Sequence, residues 1–237
     1  MKSLRIFLTG GSSGIGAATA KKLTAAGHRV TLIARNDEAL QAVAKHCPTE
    51  SIRIEQVDVT NEKMVKQAVE GAIKAWGGID VCIPNAGLGV FSPLKDADLK
   101  DWKLMVDVNI GGVLNTLHSC LPTLIENKGH IIQIGSIAAR NVFANSGIYC
   151  ATKHAVLAIS ESLRIEFRDE LAVTTINPGA VNTAFIDQTK DVDLRENYRP
   201  QFEQGMEPDF IADAIVFAIA SSGRGVLSEM TMRPDRR

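Results

Sequence analysis

The sequence predicts an α/β protein: a doubly wound parallel sheet of about seven strands with helices on both faces, three layers in a single domain spanning residues 1–237. Three observations predict it. Short β-prone runs alternate with helical patterns along the whole chain, as parallel strands joined by crossover helices require. A glycine-rich loop, Gly10 to Gly16, follows the first β-prone run and opens the first helix. No linker, internal repeat or low-complexity tract interrupts the alternation, and the length suits one large domain of this kind.

The first strand is expected over residues 4–8, followed by the loop and a helix ending near Gly27. Gly10, Gly11, Ser12, Ser13, Gly14, Ile15 and Gly16 form a G-x-x-x-G-x-G spacing, a variant of the G-x-G-x-x-G dinucleotide-binding (Rossmann) fingerprint. Glycines let the backbone approach a ligand closely, and the helix N-terminus behind them offers N–H groups and a positive dipole end to phosphate. A plain tight turn is the competing reading.

Residues 29–35 read as strand two. In NAD-selecting sites a carboxylate about 20 residues after the loop binds the ribose 2′-hydroxyl, whereas an arginine accommodates a 2′-phosphate. Ala34, Arg35 and Asn36 stand at that place, and the first carboxylate, Asp37, reads as a helix N-cap. NADP(H) is therefore favoured over NAD(H), with Arg35 as anchor and Ser12 or Ser13 assisting; a solvated arginine at a strand end is the alternative. Strand three, residues 52–59, ends at Asp58 and Val59. Asp58 either accepts from an adenine amino group or caps the helix that follows, residues 61–76. Strand four leads into Asn85-Ala86-Gly87, a turn whose small residues leave room for a ligand.

A helical stretch carrying Trp102 and Met105 continues into residues 108–124. Asn109 opens that continuation. An asparagine in an apolar helix marks either a local hydrogen bond or kink, or a catalytic role. The face Val113, Leu114, Leu117 and Leu121 suits either an oligomer contact or the sheet. Residues 130–136 are strand five, ending at Ser136. Tyr149 lies in a helix running to about residue 170, residues 172–179 are strand six, and residues 208–220 and 226–232 are the last helix and strand. Residues 184–206 are polar and poorly periodic, the composition of a mobile lid over a pocket.

Tyr149 and Lys153 are four residues apart on one helix and so share a face. A phenol has a pKa of about 10, and a neighbouring cation favours the phenolate and lowers it. Acid–base exchange works best when the pKa lies near the working pH. Ser136 offers a hydroxyl to the same spot.

Composition is that of an ordinary globular chain, 45% hydrophobic and 22% charged. The formal net charge of −1 gives no reason to expect nucleic acid or an anionic membrane surface as partner. There is no apolar run of spanning length and no signal-peptide pattern, and the four dispersed cysteines read as reduced thiols, so a cytoplasmic location is expected. No metal-ligand spacing is present.

Taken together, Thr9-Gly-x-x-x-Gly-Ile-Gly16, Asp58-Val59, Asn85-Ala-Gly87, Asn109, Ser136, Tyr149-x-x-x-Lys153 and Pro178-Gly179 resemble the classical short-chain dehydrogenase/reductase family over nearly the whole length. The resemblance implies a Rossmann-type seven-stranded sandwich and hydride transfer between a nicotinamide and a carbonyl or secondary alcohol. It implies Tyr149 as general acid/base, Lys153 lowering its pKa and binding the nicotinamide ribose, Ser136 holding the substrate oxygen, and Asn109 anchoring a relay water. It implies dinucleotide contacts from residues 10–16, Asp58, Val59, Asn85, Ala86, Gly87, Pro178, Gly179, Val181 and Thr183, and a homodimer or homotetramer. The C-terminal residues 227–234 look like the branch of NADP-dependent 3-hydroxy acid and serine dehydrogenases. A hydroxy acid would need a cation, and Arg140 is the candidate, against a reading as a solvated loop residue. An NAD(H)-dependent enzyme and a non-catalytic nucleotide-binding regulator are the alternative functions.

Overall fold

The computed structural model describes residues 3–236. The chain runs β1 (Arg5–Thr9), α1 (Gly14–Ala25), β2 (Arg29–Ala34), α2 (Asp37–Ala44), β3 (Ile52–Gln56), α3 (Glu62–Trp76), β4 (Val81–Ile83), α4 (Leu99–Val106), α5 (Gly112–Glu126), β5 (His130–Ile134), α6 (Gly147–Glu166), β6 (Ala172–Pro178), α7 (Val192–Glu203), α8 (Pro208–Ala220) and β7 (Glu229–Met232). All seven strands are parallel, in the order β3-β2-β1-β4-β5-β6-β7. The chain winds outward from β1 to β3, returns to the middle, and winds the other way from β4 to β7. This reversal between β1 and β4 opens a crevice at the carboxyl ends of the central strands, where ligands of such sheets bind.

Side-chain alternation explains the two helical layers. On one face Ile6, Leu8, Val30, Leu32, Ile132 and Ile134 pack against Leu23 of α1, Leu40 of α2 and Ile211, Ile215 and Ile219 of α8. On the other, Phe7, Cys82, Ile131 and Val173 pack against α3, α5 and α6. Both faces of the central strands are buried, as expected of a parallel sheet. Val113 and Leu117 turn into this second core, with Leu121 against it, while Leu114 is 49% exposed. Most of that apolar face therefore belongs to the sheet. All four cysteines are buried and unpaired. Among the described residues no helix is long and apolar enough to cross a membrane.

The Tyr149 helix ends at Glu166, four residues earlier than expected. Residues 184–206, the segment expected to cover the pocket, are largely helical: a 3₁₀ turn, Ala184–Gln188, precedes α7. Asp191 caps α7 by accepting from Leu194 N at 3.0 Å. Lys190 pairs with Asp101 of α4 at 2.6 Å, and Met206 N donates to Ala180 O at 3.0 Å, tying both ends of the segment to the body.

At the amino end of β5, His130 is buried, with Nε2 2.8 Å from Thr174 Oγ1. Burial pulls its pKa down to about 4, from about 6.5 in an unfolded chain. The folded state thus holds the proton less tightly. Stability is complete above pH 6.5 and falls as the pH drops towards 4. Urea unfolding at about pH 5 is expected to give roughly 2 kcal/mol less stability from this group than at about pH 7.5. His130→Gln should flatten that part of the profile; an unchanged slope would disprove the assignment. His28, also lowered by burial, adds the same sign in both proteins.

Candidate active site

The loop after β1 is held from below. Thr9 Oγ1 accepts from Asn85 N at 3.0 Å and Ala86 N at 2.9 Å, and Asn85 Nδ2 donates to Thr9 O at 2.9 Å and Gly10 O at 3.0 Å. Gly10 and Gly14 turn the chain at φ +68 and +51, a region that favours glycine. Gly11 and Gly16 serve packing: a Cβ would lie 1.9 Å from Leu32 Cδ1 at the first and 2.2 Å from Gly10 O at the second. Gly10, Ser12, Ser13, Gly14 and Ile15 line the cavity; Gly11 and Gly16 stand behind it. Ser13 precedes α1 without a side-chain cap bond, and the first turn has no acidic residue. Its N–H groups and positive dipole end are therefore left for an anion.

Arg35 follows β2 on the cavity wall, exposed, its guanidinium without a hydrogen bond or ion pair among the described residues. The α2 cap is Asn36, which accepts from Ala39 N at 3.0 Å; Asp37 sits one place further in, correcting the cap assignment. Asp58 is likewise not the cap of α3, because Asn61 is. Asp58 instead closes a short turn, accepting from Thr60 N at 2.9 Å and Thr60 Oγ1 at 2.8 Å, and lines the cavity beside Val59.

Across the crevice stand Ser136, Tyr149 and Lys153, all in the same lining. Ser136 N donates to Asn177 Oδ1 at 3.2 Å, and its Oγ accepts from Ala138 N at 3.0 Å. Besides its bond with Tyr149, the hydroxyl has only a long contact, 3.5 Å to Pro178 O, so it faces the cavity ready to meet a substrate oxygen. Lys153 Nζ donates to Ile134 O at 2.9 Å and lies 5.9 Å from the centre of the Tyr149 ring. The expected direction of the phenol's shift is reversed. Burial pushes Tyr149 up to about 12, opposed by its bond with Ser136, and burial pulls Lys153 down to about 8. Desolvation disfavours both charged forms and sets the direction of both shifts.

Asn109 does not reach the cavity wall. It is buried in a π-helical turn, Asp107–Gly111, that joins α4 to α5. Its amide accepts from Leu88 N at 2.9 Å and donates to Leu88 O at 2.8 Å and Thr152 Oγ1 at 3.0 Å. It ties the loop after β4 to α6, so the local hydrogen bond anticipated for it is present. Pro178, Gly179, Val181 and Thr183 form the far wall. Thr183 leans over the glycine loop, its Cγ2 2.9 Å from where a Gly14 Cβ would be.

Sequence reasoning placed a cover over the pocket at residues 184–206 but did not name the side chains that form it. Tyr198, Gln201 and Phe202 of α7 line the cavity with Gln188. Tyr198 and Phe202 are four apart, and that i, i+4 aromatic pair was the available signal. Arg140 is exposed, as a solvated loop residue is, and does not line the cavity: it pairs with Glu229, Nε donating to Oε1 at 3.0 Å and Nη2 to Oε2.

The cavity is about 630 Å³, within the range of small-molecule sites. Residues 5–193 match the model of the short chain dehydrogenase family. An oxidoreductase of Staphylococcus aureus (strain MW2) is 37% identical over 229 residues, 96% of this chain and 95% of the relative. An oxidoreductase of Staphylococcus saprophyticus is 37% identical over 99% of this chain and 97% of its own. Among solved structures, an alcohol dehydrogenase from Thermococcus sibiricus complexed with 5-hydroxy-NADP has a TM-score of 0.88 at 27% identity, covering 100% of this chain and 98% of that one. A serine dehydrogenase complexed with NADP⁺ has a TM-score of 0.89 at 27% identity, over 97% and 94%. The crevice at the sheet's switch point, its glycine loop and these matches lead to one conclusion: this chain is an oxidoreductase belonging to the short-chain dehydrogenase family.

Proposed function

We propose that the protein is an NADP(H)-dependent oxidoreductase interconverting carbonyl compounds and secondary alcohols, with Tyr149 as general acid/base. One observation carries the reading: a single cavity is lined by the glycine cradle, the unpaired Arg35 and the trio Ser136, Tyr149 and Lys153. A phosphorylated dinucleotide fits the residues present. The cradle offers the pyrophosphate the N–H groups left open at the start of α1, Arg35 takes the 2′-phosphate, and Asp58 with Val59 borders the adenine. The alcohol dehydrogenase and serine dehydrogenase structures named above, with 5-hydroxy-NADP and NADP⁺, support NADP(H). When bound, the reduced nicotinamide supplies a hydride with its two electrons.

The chain's own groups do the rest. Ser136 donates its proton to the substrate oxygen and fixes it. Tyr149, protonated at neutral pH, gives that oxygen its proton during reduction and takes one back during oxidation. Lys153 stands ready for the ribose and stabilises the phenolate as it forms. Asn109 positions α6 against the loop after β4 and carries the relay-water assignment only through that placement.

Arg35→Ala tests the cofactor choice. It should weaken NADPH binding by roughly 10- to 100-fold, the loss of a charge-assisted phosphate contact of about 1.5–3 kcal/mol. NADH binding should change by less than about threefold. Fluorescence titration of both reduced cofactors reads the result, and equal weakening of the two would overturn the assignment.

A further inference from the structure

At the reacting end the cavity is walled by aromatic rings. The Phe91 ring centre lies 6.0 Å from Tyr149, 6.2 Å from Phe185 and 5.6 Å from Tyr198, each edge-to-face. Phe185 lies 5.4 Å from Tyr149, edge-to-face, and 6.0 Å from Phe202, nearly parallel. Gly89 makes this possible, since a Cβ there would meet Phe185 Cζ at 2.6 Å. The Tyr198 hydroxyl donates to Ala144 O at 3.2 Å and fastens the roof to the opposite loop. The catalytic phenol is thus one member of a ring cluster that faces the space left for substrate.

Charge is distributed to match. Among the described residues the charged lining is Arg35, Asp58 and Lys153. Arg35 and Asp58 follow β2 and β3. The strand order puts β2 three places from β5, about 14 Å at the usual strand spacing. Lys153 is held by Ile134 O beneath Tyr149. Arg140, the cation a carboxylate-bearing substrate would need, is clamped by both oxygens of Glu229, which Asn177 Nδ2 also engages at 2.7 Å. A carboxylate placed among the rings would be desolvated without a partner, a heavy penalty. An aryl group there joins an existing edge-to-face arrangement, which such rings prefer.

We propose that the substrate end takes an uncharged aryl ketone or aryl aldehyde, or the matching alcohol. Phe91, Phe185 and Phe202 hold its ring while its oxygen reaches Ser136 and Tyr149, and keto and hydroxy acids are rejected. The inference rests on the oxidoreductase reading above and departs from the hydroxy-acid branch suggested by the C-terminal residues.

The test uses the full chain with NADPH and four ketones: acetophenone, cyclohexyl methyl ketone, phenylglyoxylate and acetoacetate. The kcat/KM for acetophenone should exceed that of either acid at least about tenfold and that of the cyclohexyl ketone at least about threefold. Phe202→Ala should raise its KM about tenfold with kcat within threefold, and the gentler Phe202→Leu should abolish the preference over the cyclohexyl ketone. Saturation-transfer NMR on the acetophenone ring protons, with the protein and NADP⁺, should show binding that Phe202→Ala removes. Preference for either acid, parity of the two neutral ketones, or ring-proton transfer unaffected at Phe202 would overturn the proposal. NADPH binding without turnover of any ketone would sink the oxidoreductase reading alone, because the NMR result still decides who occupies the cage.

Discussion

Tyr149→Phe is expected to lower kcat by about 10²- to 10⁴-fold in both directions, the usual worth of a positioned proton donor. NADPH affinity should stay within about threefold, because the ring and its neighbours remain and only the hydroxyl is lost. The packing supports so clean a separation. Tyr149 contacts Phe91 and Phe185 through its ring, and those contacts survive the substitution. Its hydroxyl bonds Ser136, and that bond does not. Steady-state rates and a fluorescence titration on the same preparation measure both quantities. A variant that keeps its kcat would remove Tyr149 from the chemistry, whatever else the cavity binds.

The direction of the phenol's shift adds a second handle. A phenol pushed up to about 12 by burial keeps its proton at neutral pH, as carbonyl reduction requires. Alcohol oxidation needs the phenolate, so its rate should climb by about tenfold per pH unit over the range where the phenol stays protonated, while reduction stays flat near neutrality. Lys153→Met removes the cation that lies 5.9 Å from the ring's centre, and should move the oxidative rise to higher pH. A rise that stays in place would show that the ammonium does not act on the phenol.

Much of this site is legible in the sequence because its signals are local. Strand and helix periods, the glycine spacing and the four-residue interval from Tyr149 to Lys153 each fit within one element or one turn. What stayed hidden depends on where distant segments meet. α7 buries none of its own residues within the domain core and reads as polar, yet it lays Tyr198 and Phe202 across the cavity. Arg140 finds Glu229, 89 residues away, through the placement of β7 beside β6. The capping errors at Asp37 and Asp58 have a shorter-range cause: an asparagine, one or three residues away, competes for the same role. The sign of the Tyr149 shift followed from burial, which spacing on a helix does not contain. Asn109 reads as out of place in an apolar helix, and the structure supplies the reason: it sits in a π-helical turn with its amide bonded to both backbone groups of Leu88.

Gly16→Ala should be the most damaging change that leaves every reacting group in place. A Cβ there would lie 2.2 Å from Gly10 O and 2.7 Å from Asn85 Nδ2. Neither atom can simply yield, because Asn85 Nδ2 donates to Gly10 O at 3.0 Å and to Thr9 O at 2.9 Å. The loop must therefore lift away from α1, breaking those bonds and displacing the N–H groups that would meet the pyrophosphate. Overpacking of this kind costs about 1–3 kcal/mol, and the broken bonds add to it, so a stability loss of roughly 2–4 kcal/mol is expected in urea unfolding. A displacement of about 1 Å at a binding cradle weakens function by about 10²-fold, and NADPH titration should show a loss of that size. Gly225→Ala is the matched control, since a Cβ there meets nothing within 4 Å. If Gly16→Ala bound NADPH as tightly as the Gly225 control, the dinucleotide would not be seated on this loop, and the roles given to Arg35 and Asp58 would fall with it.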